Sequence, residues 1–152
     1  MELIDKVFNL CLKIAANDVR HFSGIGILVY DSKEFDENNH CDLRPEIKCE
    51  TYSVDDQRLV DYLEHISDYD NTLHDGFHMM DENGILKYVA QYFVPPIVKG
   101  LRPNQGHGVR CYSSMCGSML DGVLFIATIC SDKSVYIYQK GEVYKYMEGK
   151  NA

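Results

Sequence analysis

Three segments decide how this chain folds: LHDGFHMMDENG (Leu73–Gly84), KGLRPNQGHGVRCYSSM (Lys99–Met115) and GVLFIATICSDKSVYIYQKGEV (Gly122–Val143). Each has the form of a strand or helix with a turn at one end. FHMMD–ENG–ILKYVAQYF reads as a hairpin, because Glu82-Asn83-Gly84 supplies a residue that tolerates positive φ. Pro95-Pro96 then stops strand pairing. VRCYSSMCGSML, rich in small residues, reads as a helix over 109–119 despite Gly117. GVLFIATIC (122–130) shows no polar alternation, which predicts a strand covered on both faces. VYIYQ–KGE–VYKY reads as a closing hairpin.

Working outward, Ile4, Val7, Phe8, Cys11 and Ile14 recur at helical spacing and predict an amphipathic helix over 3–16, ended by Asn17-Asp18. GIGILVY (Gly24–Tyr30) is a second run without alternation, a buried strand over 25–30. Residues 31–53 are polar and acidic and read as a surface loop with one short strand, KCETY. A helix over 55–66 follows, with Ser53 as N-cap and an apolar stripe of Leu59, Val60, Leu63 and Ile66. With no repeat and no linker, this pattern predicts a single α/β domain: a central mixed β-sheet flanked by helices.

The turns carry chemistry. Asp75 beside Gly76 leaves the backbone open to a ligand while the carboxylate reaches a metal ion or ribose hydroxyl. The plain alternative is a turn aspartate bonding its own backbone. Phe77 either narrows or stacks within such a pocket or belongs to the core. Gly106-His107-Gly108-Val109-Arg110 opens a helix, where glycines let phosphate oxygens approach the first-turn N–H groups. Ser131-Asp132 follows a buried strand, at a place where α/β sheets hold ligands. SDKS alone reads equally as a hairpin turn. His74, Asp75 and His78 offer a metal triad only if both histidines share one strand face.

Together these segments resemble the diadenylate cyclase (DAC) domain family, whose fold joins two ATP molecules into cyclic di-AMP. Leu73-His74-Asp75-Gly76 matches that family's Asp-Gly-Ala motif, with Phe77 in place of alanine. GHGVRCYSSM falls where the family has Gly-Thr-Arg-His-Arg-x-Ala opening a helix, and SDKSVYIYQKGEV falls where it has Ser-Glu and a hairpin. The resemblance implies a DAC-like domain over 1–152 and a nucleotide-binding set of Asp75, Gly76, Phe77, Gly106, Gly108, Arg110, Ser131 and Asp132. It implies Mg2+ or Mn2+ with ATP, held by Asp75 and Asp132, and catalysis by Asp75 if the chain is active. Condensation of two ATP in this family needs two sites facing each other across a dimer. The family's first arginine and its histidine align here with Gly108 and Val109, leaving only Arg110. One arginine acting on a phosphoryl-transfer transition state is worth roughly 10³–10⁵ in rate. Arg102 and the displaced His107 are the only nearby substitutes.

Composition narrows the classes further. The 152 residues carry 15 Lys and Arg against 23 Asp and Glu, a net charge of −8, which argues against nucleic-acid binding. No stretch reaches the roughly 20 apolar residues of a membrane-spanning helix, and the acidic N-terminus is no secretory signal. Six cysteines form no CxxC pair and read as reduced thiols of a cytoplasmic protein, with a zinc site at His40, Cys41 and Cys49 the sharper alternative. Three functions follow. The first is a nucleotide sensor or regulatory domain with weak or no cyclase activity, binding ATP or a cyclic dinucleotide and acting through a protein partner or by homo-oligomerisation. The second is an active diadenylate cyclase. The third is a ligand-free interaction module presenting some of its 11 tyrosines.

Overall fold

The computed structural model describes residues 1–102 and 108–149. Among them lie three α-helices and a sheet of seven strands. The helices are α1 (Leu3–Ala16), α2 (Arg58–Ile66) and α3 (Val109–Gly117); the strands are β1 (Ile25–Tyr30), β2 (His40–Asp42), β3 (Phe77–Asp81), β4 (Leu86–Phe93), β5 (Val123–Ile129), β6 (Val135–Gln139) and β7 (Glu142–Met147). They stand in the order β2-β4-β3-β1-β5-β6-β7. Only β1 and β3 pair in parallel; every other neighbour is antiparallel. The mixed α/β sheet with flanking helices is the predicted architecture.

The two unalternating runs are buried on both faces for a visible reason. Ile25, Ile27 and Val29 of β1, with Phe125, Ala127 and Ile129 of β5, face the apolar stripes of α1 and α2. The opposite face of β1 turns Leu28 and Tyr30 toward a second cluster with Phe77, Met79, Phe93 and Ile126, on the side where α3 packs on β5 and β6. α3 approaches closely because Gly117 sits under Phe93: a Cβ there would lie 2.7 Å from the ring.

Three local expectations are corrected. KCETY is no strand. The free edge of β4 is taken by His40–Asp42, and the later segment makes only a bridge at Ser53 and a hydrogen bond from Leu86 N to Tyr52 O. Ser53 does not cap α2, which begins at Arg58. Its hydroxyl accepts from Asp55 N, and Asp56 accepts from Arg58 N at 2.9 Å. Phe77 is a core residue, 5% exposed, edge-on to Phe93 at 5.4 Å and laid over Gly26, whose Cβ would sit 2.7 Å from the ring. It is withdrawn from the nucleotide site.

His78, inside β3, does structural work rather than metal binding. The β3–β4 register slips by one residue between Phe77↔Gln91 and Met79↔Tyr88, and Ala90 stands at φ 50 within the slip. The displaced Ala90 N–H donates to His78 Nδ1 at 3.1 Å. Burial first, and the Arg110 charge second, push the His78 pKa down to about 3.

Two outcomes follow from these packing relations. Above the ordinary value of 6.5 the His78 ring is neutral whether folded or not; between 6.5 and about 3 only the unfolded chain binds the proton. Stability should therefore fall as pH drops through that window, with a slope of up to about 1.4 kcal/mol per pH unit from this group. Urea unfolding at several pH values measures it, and His78→Gln, which keeps an acceptor, should flatten the dependence. Phe77→Ala should lower the unfolding free energy by about 3–5 kcal/mol. Unchanged stability with a loss of ligand affinity would return Phe77 to the site.

Candidate functional site

A cleft of about 310 Å³ opens where α3 begins and β5 ends. Ser23, Tyr69, Gly108, Arg110, Ser131 and Asp132 are among the residues lining it. It stands at the carboxyl end of β5 but at the amino ends of β1 and β3, so the strand-end rule of parallel sheets describes only one of its walls.

The α3 wall comes from the glycine-bearing entrance. Gly108 is the N-cap residue, in extended conformation (φ −91, ψ −159), with no side chain to cap the helix. The N–H groups of the first turn have no acceptor within the helix, and the dipole favours an anion there. Among the described residues, none has an atom within 4 Å of where a Cβ at Gly108 would lie. Val109, where the family carries histidine, points to solvent at 83% exposure. Gly106 and His107 lie outside the described residues. Arg102 is exposed and does not line the cleft.

Arg110 is anchored instead of free-swinging. Its Nη1 donates to Ser23 O at 3.2 Å, and its stem runs over the start of β1: a Cβ at Gly24, just before the strand, would lie 2.7 Å from Nη1 and one at Gly26 3.3 Å from Cδ. Burial holds its pKa below the ordinary arginine value, with the Asp75 carboxylate the first group opposing the shift. The guanidinium thus faces the cleft as a fixed positive charge. Asp75 belongs to its electrostatic surroundings without lining the cleft.

Around Asp75 the geometry departs from the sequence reading. Asp75 is paired with His74, Oδ1 lying 3.2 Å from Nε2, while His74 Nδ1 donates to Asn71 O at 2.7 Å. Gly76 does not open a path for a ligand. At φ 77, its missing Cβ makes room for the Gln91 carbonyl, which that atom would approach to 2.4 Å, and for Leu43. The glycine serves the close crossing of two backbone segments.

SDKS forms the far wall. Asp132 Oδ1 accepts from Ser134 N at 2.9 Å and Lys133 N donates to Cys130 O, with Lys133 at φ 73, so the segment is a turn. Ser131 and Asp132 nonetheless line the cleft. Below them Cys111 and Cys130 bring their sulfurs to 3.5 Å. The Cys130 thiol is pushed up, first by its hydrogen bond to Cys111 and then by burial.

Sequence reasoning missed Tyr69. It is 60% exposed, lies in the irregular SDYDNT stretch and packs against His74 at 5.3 Å between ring centroids. No periodicity marks such a loop aromatic. Beside it, His21, Asp68 and Asp70 form the one cluster of three or more metal-type ligands among the described residues, with His21 Nδ1 3.4 Å from Asp70 Oδ2. That cluster contains neither Asp75 nor Asp132, nor the His40, Cys41 and Cys49 alternative. Asp75 and Asp132 each have one carboxylate oxygen engaged within the protein.

No helix among the described residues is long and apolar enough to cross a membrane. No family model and no curated protein matches the chain. Solved structures do. A hypothetical membrane spanning protein from Bacillus cereus is similar with a TM-score of 0.63 at 19% identity, over 95% of this chain. The chain spans 63% of the length of that protein. A double mutant of DacA from Staphylococcus aureus is similar with a TM-score of 0.59 at 15% identity, over 93% of this chain and 83% of that one. At these identities the likeness is one of fold: the chain has the DAC-like fold of DacA.

Proposed function

We propose that the cleft binds an adenine nucleotide or a cyclic dinucleotide and that the chain is a sensor or regulatory domain with weak or no cyclase activity. The observation that carries this reading is the anchored Arg110 guanidinium beside the uncapped N-terminus of α3, two anion-favouring features on one wall. The sequence resemblance to diadenylate cyclases and the fold shared with DacA support the same ligand class.

The cleft, at about 310 Å³, is near the lower end of ligand-site volumes and suits one nucleotide unit. In this reading the phosphate meets Arg110 and the N–H groups at 109–111, and Ser131 and Asp132 face the ribose. Tyr69, exposed at the rim, takes the base-stacking role that the buried Phe77 is unable to fill, a contact worth about 1–3 kcal/mol. A divalent ion would arrive with the nucleotide, held by its phosphates and by one carboxylate such as Asp75, the usual habit of Mg2+. Asp132, which lines the cleft and has Oδ1 committed to its turn, is the other candidate.

Binding and catalysis separate at positions 108 and 109. The helix N-terminus and Arg110 act on the ground state, whereas the missing arginine and histidine are groups that the family directs at the transition state. Solvent-facing Val109 supplies neither charge nor a proton.

Calorimetry with ATP, ADP, AMP, GTP and cyclic di-AMP tests the reading, alongside separation of products after incubation with ATP and Mg2+ or Mn2+. An adenine ligand should bind, with little cyclic di-AMP formed. Arg110→Ala should weaken binding by about one to two decades, the worth of a hydrogen bond to a charged group. Rapid metal-dependent formation of cyclic di-AMP would establish the active cyclase instead. No heat with any ligand would favour the interaction module.

A further inference from the structure

The floor of the cleft holds a pair of groups that phosphate binding does not use. Cys111 follows Arg110 in the first turn of α3, and Cys130 stands between the end of β5 and Ser131. Their sulfurs lie 3.5 Å apart although 19 positions separate them in sequence. Both line the cleft: Cys111 is 4% exposed, and Cys130 is half-buried and the more accessible of the two.

We propose that Cys111 and Cys130 are an oxidisable dithiol that forms a disulfide with small-molecule disulfides entering the cleft, tying the first turn of α3 to the end of β5. Disulfide sulfurs stand about 2.0 Å apart, so closure requires about 1.5 Å of approach, within the reach of side-chain rotation. Cys130 reacts first. It gives up its proton to water, and its thiolate attacks one sulfur of a small disulfide such as oxidised glutathione. One glutathione thiolate leaves and takes up a proton. Cys111, deprotonated in turn, attacks the Cys130 sulfur, and the second glutathione leaves in the same way. The two cysteines lose two electrons, and one glutathione disulfide becomes two thiols. Because only the thiolate attacks, a thiol pushed up by its hydrogen bond to Cys111 and by burial reacts slowly near neutrality and faster as pH rises.

The lock bears on the cleft because each cysteine is the immediate sequence neighbour of a wall-forming residue: Cys111 of Arg110, Cys130 of Ser131. The chemistry itself is independent of which ligand the cleft takes, so its test stands apart from nucleotide binding.

The full chain is incubated with oxidised glutathione, quenched with an alkylating agent, digested without reduction and mapped by mass spectrometry. A linked pair of peptides carrying Cys111 and Cys130, lighter by about 2 Da than the reduced pair, is expected. Its rate should rise between about pH 7 and about pH 9. Cys111→Ser should leave glutathione attached to Cys130, and Cys130→Ser should leave Cys111 alkylated. The proposal is overturned if Cys111 and Cys130 are both alkylated in the oxidised wild-type chain while Cys41 or Cys49 carries glutathione. The wild-type map decides even if a variant fails to fold.

Discussion

Two missing side chains, one just before β1 and one within it, set the distance at which the second layer meets the sheet. A Cβ at Gly24 would stand 2.7 Å from the Arg110 guanidinium, and one at Gly26 would stand 2.7 Å from the Phe77 ring and 3.3 Å from the Arg110 stem. Both glycines are needed for one arginine to lie along a central strand and still present its charge to a cleft. With ordinary side chains there, α3 would be held off the sheet and the Ser23 carbonyl would lose its donor. Gly24, at φ 92, adds a backbone conformation that other residues adopt only with strain. The packing of the second layer and the electrostatics of the cleft are thus one constraint.

This arrangement separates holding an anion from transforming it. Arg110 is fixed by Ser23 and its surroundings before any ligand arrives, so little ordering remains to oppose binding. In the proposed reading, the groups that would act on a transition state fall at positions 108 and 109, where the chain places an uncapped glycine and a solvent-facing valine. Among the described residues, none would crowd a Cβ added at Gly108.

Long-range architecture was legible because it rests on apolar periodicity. The run at 25–30, the run at 122–130 and the helix at 3–16 each have two properties, length and pattern, that only one placement satisfies. The expectations that failed all involve competition between local options. KCETY has strand-forming residues, but three others reach the edge of β4 first. Ser53 has the right chemistry for a cap, but Asp56 lies nearer the helix. Phe77 was ambiguous because an aromatic beside a ligand motif and an aromatic in a core are the same residue in one dimension; the facing Gly26 and Phe93 decide the matter. Gly76 was read as openness toward a ligand, yet the space is filled by the Gln91 carbonyl. Of the predicted site, Gly108, Arg110, Ser131 and Asp132 share one cleft, with Asp75 beside it. Tyr69 and the two cysteines enter only through tertiary contact.

In the proposed reading, an adenine nucleotide sits in one cleft, between the start of α3 and the end of β5. Backbone amide chemical shifts followed during titration with ATP and with cyclic di-AMP address it most directly. The account predicts that the largest changes fall on residues 109–111, 130–132 and Tyr69, with Gly24 following through Arg110. Changes confined to the groove between the end of α1 and β7, around Ala15, Asn17 and Met147, would contradict it. So would an unchanged spectrum at saturating nucleotide.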